Sequence, residues 1–121
     1  MSLDITLEDD EEIMRCPACD HSITQKKAVW SGNITHNLVP MAVHIGIYGP
    51  VWSPEENGIQ RAGDLIRPLN AALVFMAKRK PECEALNPEN GWGSYDSLYE
   101  VLSELQVECY KNPDATIRIW K

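Results

Sequence analysis

The apolar residues of this chain keep two different periods, and the place where one gives way to the other is what most constrains the fold. Ile5 and Leu7 alternate with polar neighbours at the N-terminus, and Ala115, Ile117 and Ile119 alternate with Thr116, Arg118 and Trp120 near the C-terminus. That two-residue repeat belongs to half-buried strands. Between the two ends the repeat lengthens to three and four. Leu38, Met41, Ala42 and Ile45 form one stripe. Ala62, Leu65, Ile66, Leu69, Leu73 and Met76 form a second, and Leu98, Val101, Leu102, Leu105 and Cys109 a third. Each is the buried side of an amphipathic helix. Strands at both ends of a helical middle predict an α+β fold, in which a small sheet of N-terminal strands plus the C-terminal strand packs against three helices. The 121 residues make a single domain. Its parts are a β-rich segment over 1–32, a helical segment over 33–112 and a closing strand over 113–121.

Local signals place the boundaries. The N-terminal strands read as two short pieces, residues 4–7 and then Ile13 with Met14, joined by the acidic run of residues 8–12 as a turn. A third strand over 23–30 ends at Ser31-Gly32. Thr35 or Asn37 caps the first helix, and Ser53-Pro54-Glu55-Glu56 opens a short one that Gly58 stops after a turn. The main helix covers about 60–80, with Pro68 kinking or breaking it, Lys78, Arg79 and Lys80 at its negative dipole end, and Pro81 closing it. Asn87-Pro88-Glu89-Asn90-Gly91-Trp92-Gly93 is an ordered loop around one large aromatic. Ser94 then caps the third helix, and Asn112-Pro113 ends it.

Charge narrows the partners. The net charge of −7 is local: residues 1–12 hold six acids and no base, leaving 12 acids against 11 bases in the rest. A body so nearly neutral has no basic field for nucleic acid. The longest apolar stretches, around 38–47 and 71–77, fall short of the roughly 20 residues of a membrane span. The N-terminus carries no export signal pattern either, so the expected compartment is the cytoplasm, where the four cysteines stay reduced.

Cys16-Pro17-Ala18-Cys19 is the clearest chemical motif. A two-residue gap lets two thiolates converge on one tetrahedral zinc ion, so Cys16 and Cys19 are the candidate metal ligands. The alternative is a plain turn. No second Cys-x-x-Cys completes the set, and Cys83 and Cys109 lie on or beside helical stripes as small core hydrophobes. His36 and His44, eight residues apart on one helix and so about 12 Å, cannot share an ion.

Polar side chains crowd the start of the first helix at Asn33, Thr35, His36 and Asn37, and aromatic residues stand in the loops at Tyr48, Trp52, Trp92 and Tyr95, with Asn90 beside them. Tryptophan and tyrosine offer wide faces with polar edges, and glycine on both sides of Trp92 lets backbone approach a bound group. These nine residues are the candidate ligand site, suited to a small molecule or to a protein partner. No nucleophile elbow, phosphate loop or His-Glu-x-x-His helix is present. The expected function is therefore a non-enzymatic binding or accessory protein, monomer or homodimer. The alternative is a small hydrolase or transferase with His36 as general acid/base.

An opening Asp-Ile strand, the Cys-Pro-x-Cys knuckle, Asn33-Ile34-Thr35-His36-Asn37 and the loop from Asn87 to Gly93 followed by Ser94-Tyr95 occur here in one order. Together they make the chain resemble a family of small uncharacterised bacterial and bacteriophage proteins. The resemblance covers almost the whole length. It implies an architecture and a possible phage origin, with counter-defence or host takeover as the roles to consider, and it implies no mechanism.

Overall fold

A computed structural model describes residues 2–18 and 22–121, and for 11–15 and 22 it describes the backbone alone. Strand β1 (Ser2–Arg15) runs without interruption through the acidic segment expected to be a turn. Strand β2 (Ser22–Thr35) pairs with it antiparallel from Ser2↔Thr35 to Arg15↔Ser22. The acids extend because the register sets Asp9 opposite Lys27 and Asp10 opposite Lys26, and opposite charges across a ladder offset the poor strand propensity of aspartate. Ser31-Gly32 likewise lies within a strand. Gly32 faces Ile5, and a Cβ there would sit 2.5 Å from the indole of Trp30. The glycine makes room for the ring to fold over the strand.

Strand β3 (Thr116–Trp120) pairs antiparallel with β1 from Asp4↔Trp120 to Glu8↔Thr116, giving the sheet order β2-β1-β3. Between Leu7↔Trp30 and Glu8↔Ala28 one extra residue, Val29, makes a bulge. A second register shift separates Glu12 from Met14. The first bulge falls where β3 begins, so the hairpin continues past it as a two-stranded arm. Along the arm Ile23, Thr24, Gln25, Lys26, Lys27 and Ala28 are all exposed.

After β2 comes a 3-10 turn, His36–Leu38, then helices α1 (Val39–His44) and α2 (Tyr48–Trp52) and a second 3-10 turn, Pro54–Asn57, which ends at Gly58 with φ +71°. The Ser53 hydroxyl caps nothing. Instead Asn57 Nδ2 donates to the Ser53 carbonyl at 2.8 Å. The expected helix over 60–80 is a 3-10 turn (Ala62–Leu65) leading into α3 (Ile66–Lys78). Pro68 lies in the first turn of α3, where its missing N–H has no helical partner to lose. Asp64 Oδ2 accepts the N–H groups of Gln60 and Arg61 at 3.0 and 3.1 Å, and these bonds hold its carboxyl below the usual aspartate range. Pro81 opens the short helix α4 (Lys80–Glu84) rather than closing α3, since proline is tolerated at a helix start. Helix α5 (Tyr95–Lys111) is capped by Ser94, whose hydroxyl accepts the N–H of Ser97 at 3.2 Å.

The core joins the inner face of the sheet (Leu3, Ile5 and Leu7) to α5 (Leu98, Leu102, Leu105 and Cys109) and α3 (Leu69, Ala72, Leu73 and Met76). Ile66, expected inside, is half-buried at its edge. Cys83 and Cys109 are fully enclosed, and burial pushes both thiols up, Cys109 to about 12. They are core side chains that burial holds toward the protonated thiol. Among the described residues no helix is long and apolar enough to cross a membrane.

Candidate binding surface around Trp92

The loop of residues 85–94 returns the chain to the point where β2 ends, and its conformation follows from its side chains. Asn87 Oδ1 accepts the N–H of Tyr95 at 2.7 Å, and Asn90 Oδ1 accepts that of Trp92 at 2.9 Å. Gly91 and Gly93 take φ of +76° and +97°, values that other residues rarely adopt. A Cβ on Gly93 would lie 2.7 Å from Thr35 Cγ2 and 3.0 Å from Leu38 Cγ, so the loop backbone rests directly on the 3-10 turn. Held between these glycines, Trp92 is 69% exposed.

Beneath the indole lies a shallow depression of about 470 Å³ lined by Ser2, Asn33, Thr35, Asn37, Asn90 and Trp92. Thr35 Oγ1 accepts both the backbone N–H of Asn37 at 3.4 Å and its Nδ2 at 3.1 Å. Of the two caps offered by the sequence, Thr35 is the one that caps the turn, and its bond occupies the N–H group that a ligand would have met. The helix that begins here is a single 3-10 turn followed by six residues, too short to supply a useful dipole. Asn33 Nδ2 donates to Ser2 Oγ at 2.8 Å and to Asp4 Oδ1 at 2.7 Å, which fixes its amide.

The structure brings five of the nine expected residues together and sends four elsewhere. His36 is half-buried, does not line the depression, and its Nε2 is enclosed without a hydrogen-bond partner. Tyr95 is buried, its hydroxyl donating to the Met76 carbonyl at 2.7 Å, and that enclosure raises its pKa. It is a core residue because position 95 begins the inward stripe of α5. Tyr48 and Trp52 stack on each other with centroids 5.3 Å apart. Trp52, 2% exposed with an unpartnered Nε1, lines a different groove of about 700 Å³ between residues 52–60 and β3. Ser2 belongs to the depression and was missed by sequence reasoning. Only the register Ser2↔Thr35 brings it there.

Among the described residues, neither His36 nor His44 shares a hydrogen bond with a serine, threonine or cysteine, and His44 is paired with Glu82 at 3.0 Å. Such an arrangement can hold a polar molecule against an aromatic face. For the zinc expectation, Cys16 follows β1 directly, and Cys19 lies outside the described residues. Among the described residues no three histidine, cysteine, aspartate or glutamate side chains gather as a metal site. Set against known proteins, the chain matches no family model, no curated protein and no solved structure.

Proposed function

We propose that this chain is a non-enzymatic binding or accessory protein, and that its ligand, a small polar molecule or a segment of a protein partner, sits in the depression under Trp92. One observation carries the reading: a tryptophan 69% exposed on a turn braced by two left-handed glycines and by Asn90. A large aromatic held rigidly in water gives up contact area that only a partner restores, and its prior ordering lowers the entropy cost of binding. Asn33, Thr35 and Asn37 below it supply directional polar groups. A thermal-shift screen with nucleotides, cyclic nucleotides and common metabolites, followed by pull-down from host lysate, tests the proposal. Trp92→Ala and Asn37→Ala are expected to abolish the captured ligand's effect while leaving the unfolding midpoint unchanged. If both variants lower stability alone, the surface is structural.

The enzymatic alternative, a small hydrolase or transferase using His36, has less in its favour, because its enclosed Nε2 has no partner and lies outside the depression. Loss of about 10²–10⁴ in a measured rate on His36→Ala with binding intact would restore it. The kinship with small bacterial and bacteriophage proteins is also a proposal, and an accessory role during infection agrees with a binding protein.

Structural zinc at Cys16 and Cys19 is a separate proposal, favoured by the pairing of Arg15 with Ser22, which leaves residues 16–21 to join the two strands. Metal analysis of untagged protein purified without chelator tests it. One zinc per chain supports the site, one per two chains means that two half-sites meet across a dimer, and none leaves the pair as a turn.

A further inference from the structure

The Trp92 depression continues across the uncovered face of the sheet to Trp120, and we infer that the two together form a binding face for a neutral oligosaccharide. This rests on the reading of the Trp92 depression as a ligand surface and names the ligand's class. Leu3, Ile5 and Leu7 point into the core, so Asp4, Thr6 and Glu8 point out. The register places Ser31 and Asn33 of β2 on one side of them, and Arg118 and Trp120 of β3 on the other. A second depression of about 530 Å³ is lined by Asp4, Thr6, Ser31, Gly32, Asn33 and Trp120. Asn33 belongs to both depressions, which makes the surface continuous. Trp120 is 52% exposed. Two strand spacings, roughly 10 Å, separate its backbone from that of Asn33, and Trp92 stands beyond. An extended molecule with several units fits that span better than a single metabolite.

The chemistry of the face selects the class. A pyranose ring presents one side of C–H groups, which packs on an indole, and a rim of hydroxyls, each both donor and acceptor. Indoles stand at both ends here, and small neutral polar groups lie between them. Because Asn33 Nδ2 already donates to Ser2 and Asp4, Asn33 Oδ1 and the second Asp4 oxygen are acceptors for a ligand. The hydroxyls of Thr6 and Ser31, opposite one another in the ladder, both donate and accept. Two exposed tryptophans would also suit the bases of a single strand, but the charges oppose it. Asp4 lies in the middle of the path, Arg118 Nε is engaged by Glu8 Oε1 at 2.7 Å, and Lys26 by Asp10 at 3.2 Å. A neutral chain of sugars meets no such repulsion.

Amide and indole NMR spectra of the full chain, titrated with cellohexaose, maltohexaose and chitohexaose at millimolar concentration, test the inference. The indole N–H signals of Trp92 and Trp120 are expected to shift with at least one of the three, while that of buried Trp52 stays in place. Trp92→Ala and Trp120→Ala should each weaken binding about tenfold or more, with Trp120→Phe retaining part of the affinity and all three variants unfolding at the parent midpoint. If neither indole moves, the oligosaccharide assignment is overturned, while the binding role stands or falls on its own metabolite screen. A response confined to Trp92, or unchanged affinity in Trp120→Ala, restricts the ligand to the first depression and also overturns the extended face. Salt-sensitive binding of oligothymidylate in place of sugar would reassign the face to single-stranded nucleic acid.

Discussion

From Ser2 to Glu8, β1 has β2 along one edge and, from Asp4 onward, β3 along the other, and its inner side chains Leu3, Ile5 and Leu7 have no exposed surface. Beyond the Val29 bulge the same strand has β2 alone, and the described side chains opposite it, residues 23–28, are exposed. Both halves share one ladder, so backbone hydrogen bonding does not distinguish them. What separates them is burial and a third strand, and β3 is only five residues long. A two-stranded ribbon in water is marginal by itself. The short C-terminal strand therefore determines how much of the hairpin joins the core. It also determines where the candidate surface can lie, because Asp4, Thr6 and Asn33 are held in the half that helix α5 supports from behind.

The largest expected contrast is in packing. Ile5→Ala or Leu102→Ala, each at a fully enclosed site, should cost about 2–5 kcal/mol in urea denaturation through lost transfer energy and a residual cavity. Ile23→Ala, at a residue 51% exposed on the arm, should cost under about 0.5 kcal/mol. A loss at Ile23 close to that at Ile5 would mean the arm packs against something in solution, and the contrast would fail.

Gly93→Ala comes next, because it strikes the link between the core half and the Trp92 loop. Its φ of +97° and the 2.7 Å approach to Thr35 Cγ2 leave an alanine both strained and crowded. About 1–3 kcal/mol is expected, together with loss of whatever binding Trp92 supports. Gly91→Ala keeps the first penalty without the second, since nothing lies within 4 Å of its Cβ position. Comparing the two separates strain from contact.

The sequence made the core half readable, and of the arm it showed the strand over 23–30 but not the acidic run, for one reason. Ile5, Leu7, Ile117 and Ile119 carry their burial in their own spacing, as do Leu98, Leu102 and Leu105. The acidic run carries no such mark. Its strand state depends on lysines about seventeen residues away in the register, a non-local pairing that neither propensity nor periodicity encodes. Pro68 and Pro81 misled for a related reason: proline marks a helix boundary without saying whether a helix ends or begins there. At the site, the glycines beside Trp92 were a genuine local signal, and the Asn33, Thr35, Asn37 and Asn90 grouping was visible. Trp52 and Tyr95 look like Trp92 in composition, yet their helical positions turn them inward, and Ser2 and Trp120 reach the surface only through strand register.

A smaller effect should appear in alkali and should belong to the core half alone. Burial first, and Glu108 second, push the Cys109 thiol up to about 12. A thiol that the fold keeps protonated stabilises it fully below the ordinary value of 9.0. That contribution is lost as pH rises from there toward about 12, because the unfolded chain then releases a proton that the folded one retains. The wild type should lose on the order of 1 kcal/mol by pH 10 relative to pH 8 from this group. In Cys109→Ala that part of the slope should vanish, whatever the substitution itself costs. An unchanged slope would place the alkaline sensitivity elsewhere.

The smallest change tests whether the two halves open separately. Lys26 Nζ lies 3.2 Å from Asp10 Oδ1 and donates to Thr116 Oγ1 at 3.3 Å, so one ammonium ties both strands of the arm to the first residue of β3. The ion pair is open to water, with side-chain exposures of 42% and 61%, and pairs of that kind contribute about 0–1 kcal/mol. Lys26→Ala should therefore lower global stability by less than about 0.5 kcal/mol in urea. Its effect should show instead in amide hydrogen exchange: faster exchange at residues 23–28, with residues 3–7 unchanged. The reason is that the described side chains of β2 in the arm, residues 23–28, are exposed, whereas opening the core half breaks many buried apolar contacts. Added salt should reproduce part of the effect in the wild type by screening the same pair. If exchange rises equally on both sides of the Val29 bulge, the hairpin opens as one unit and β3 does not divide it.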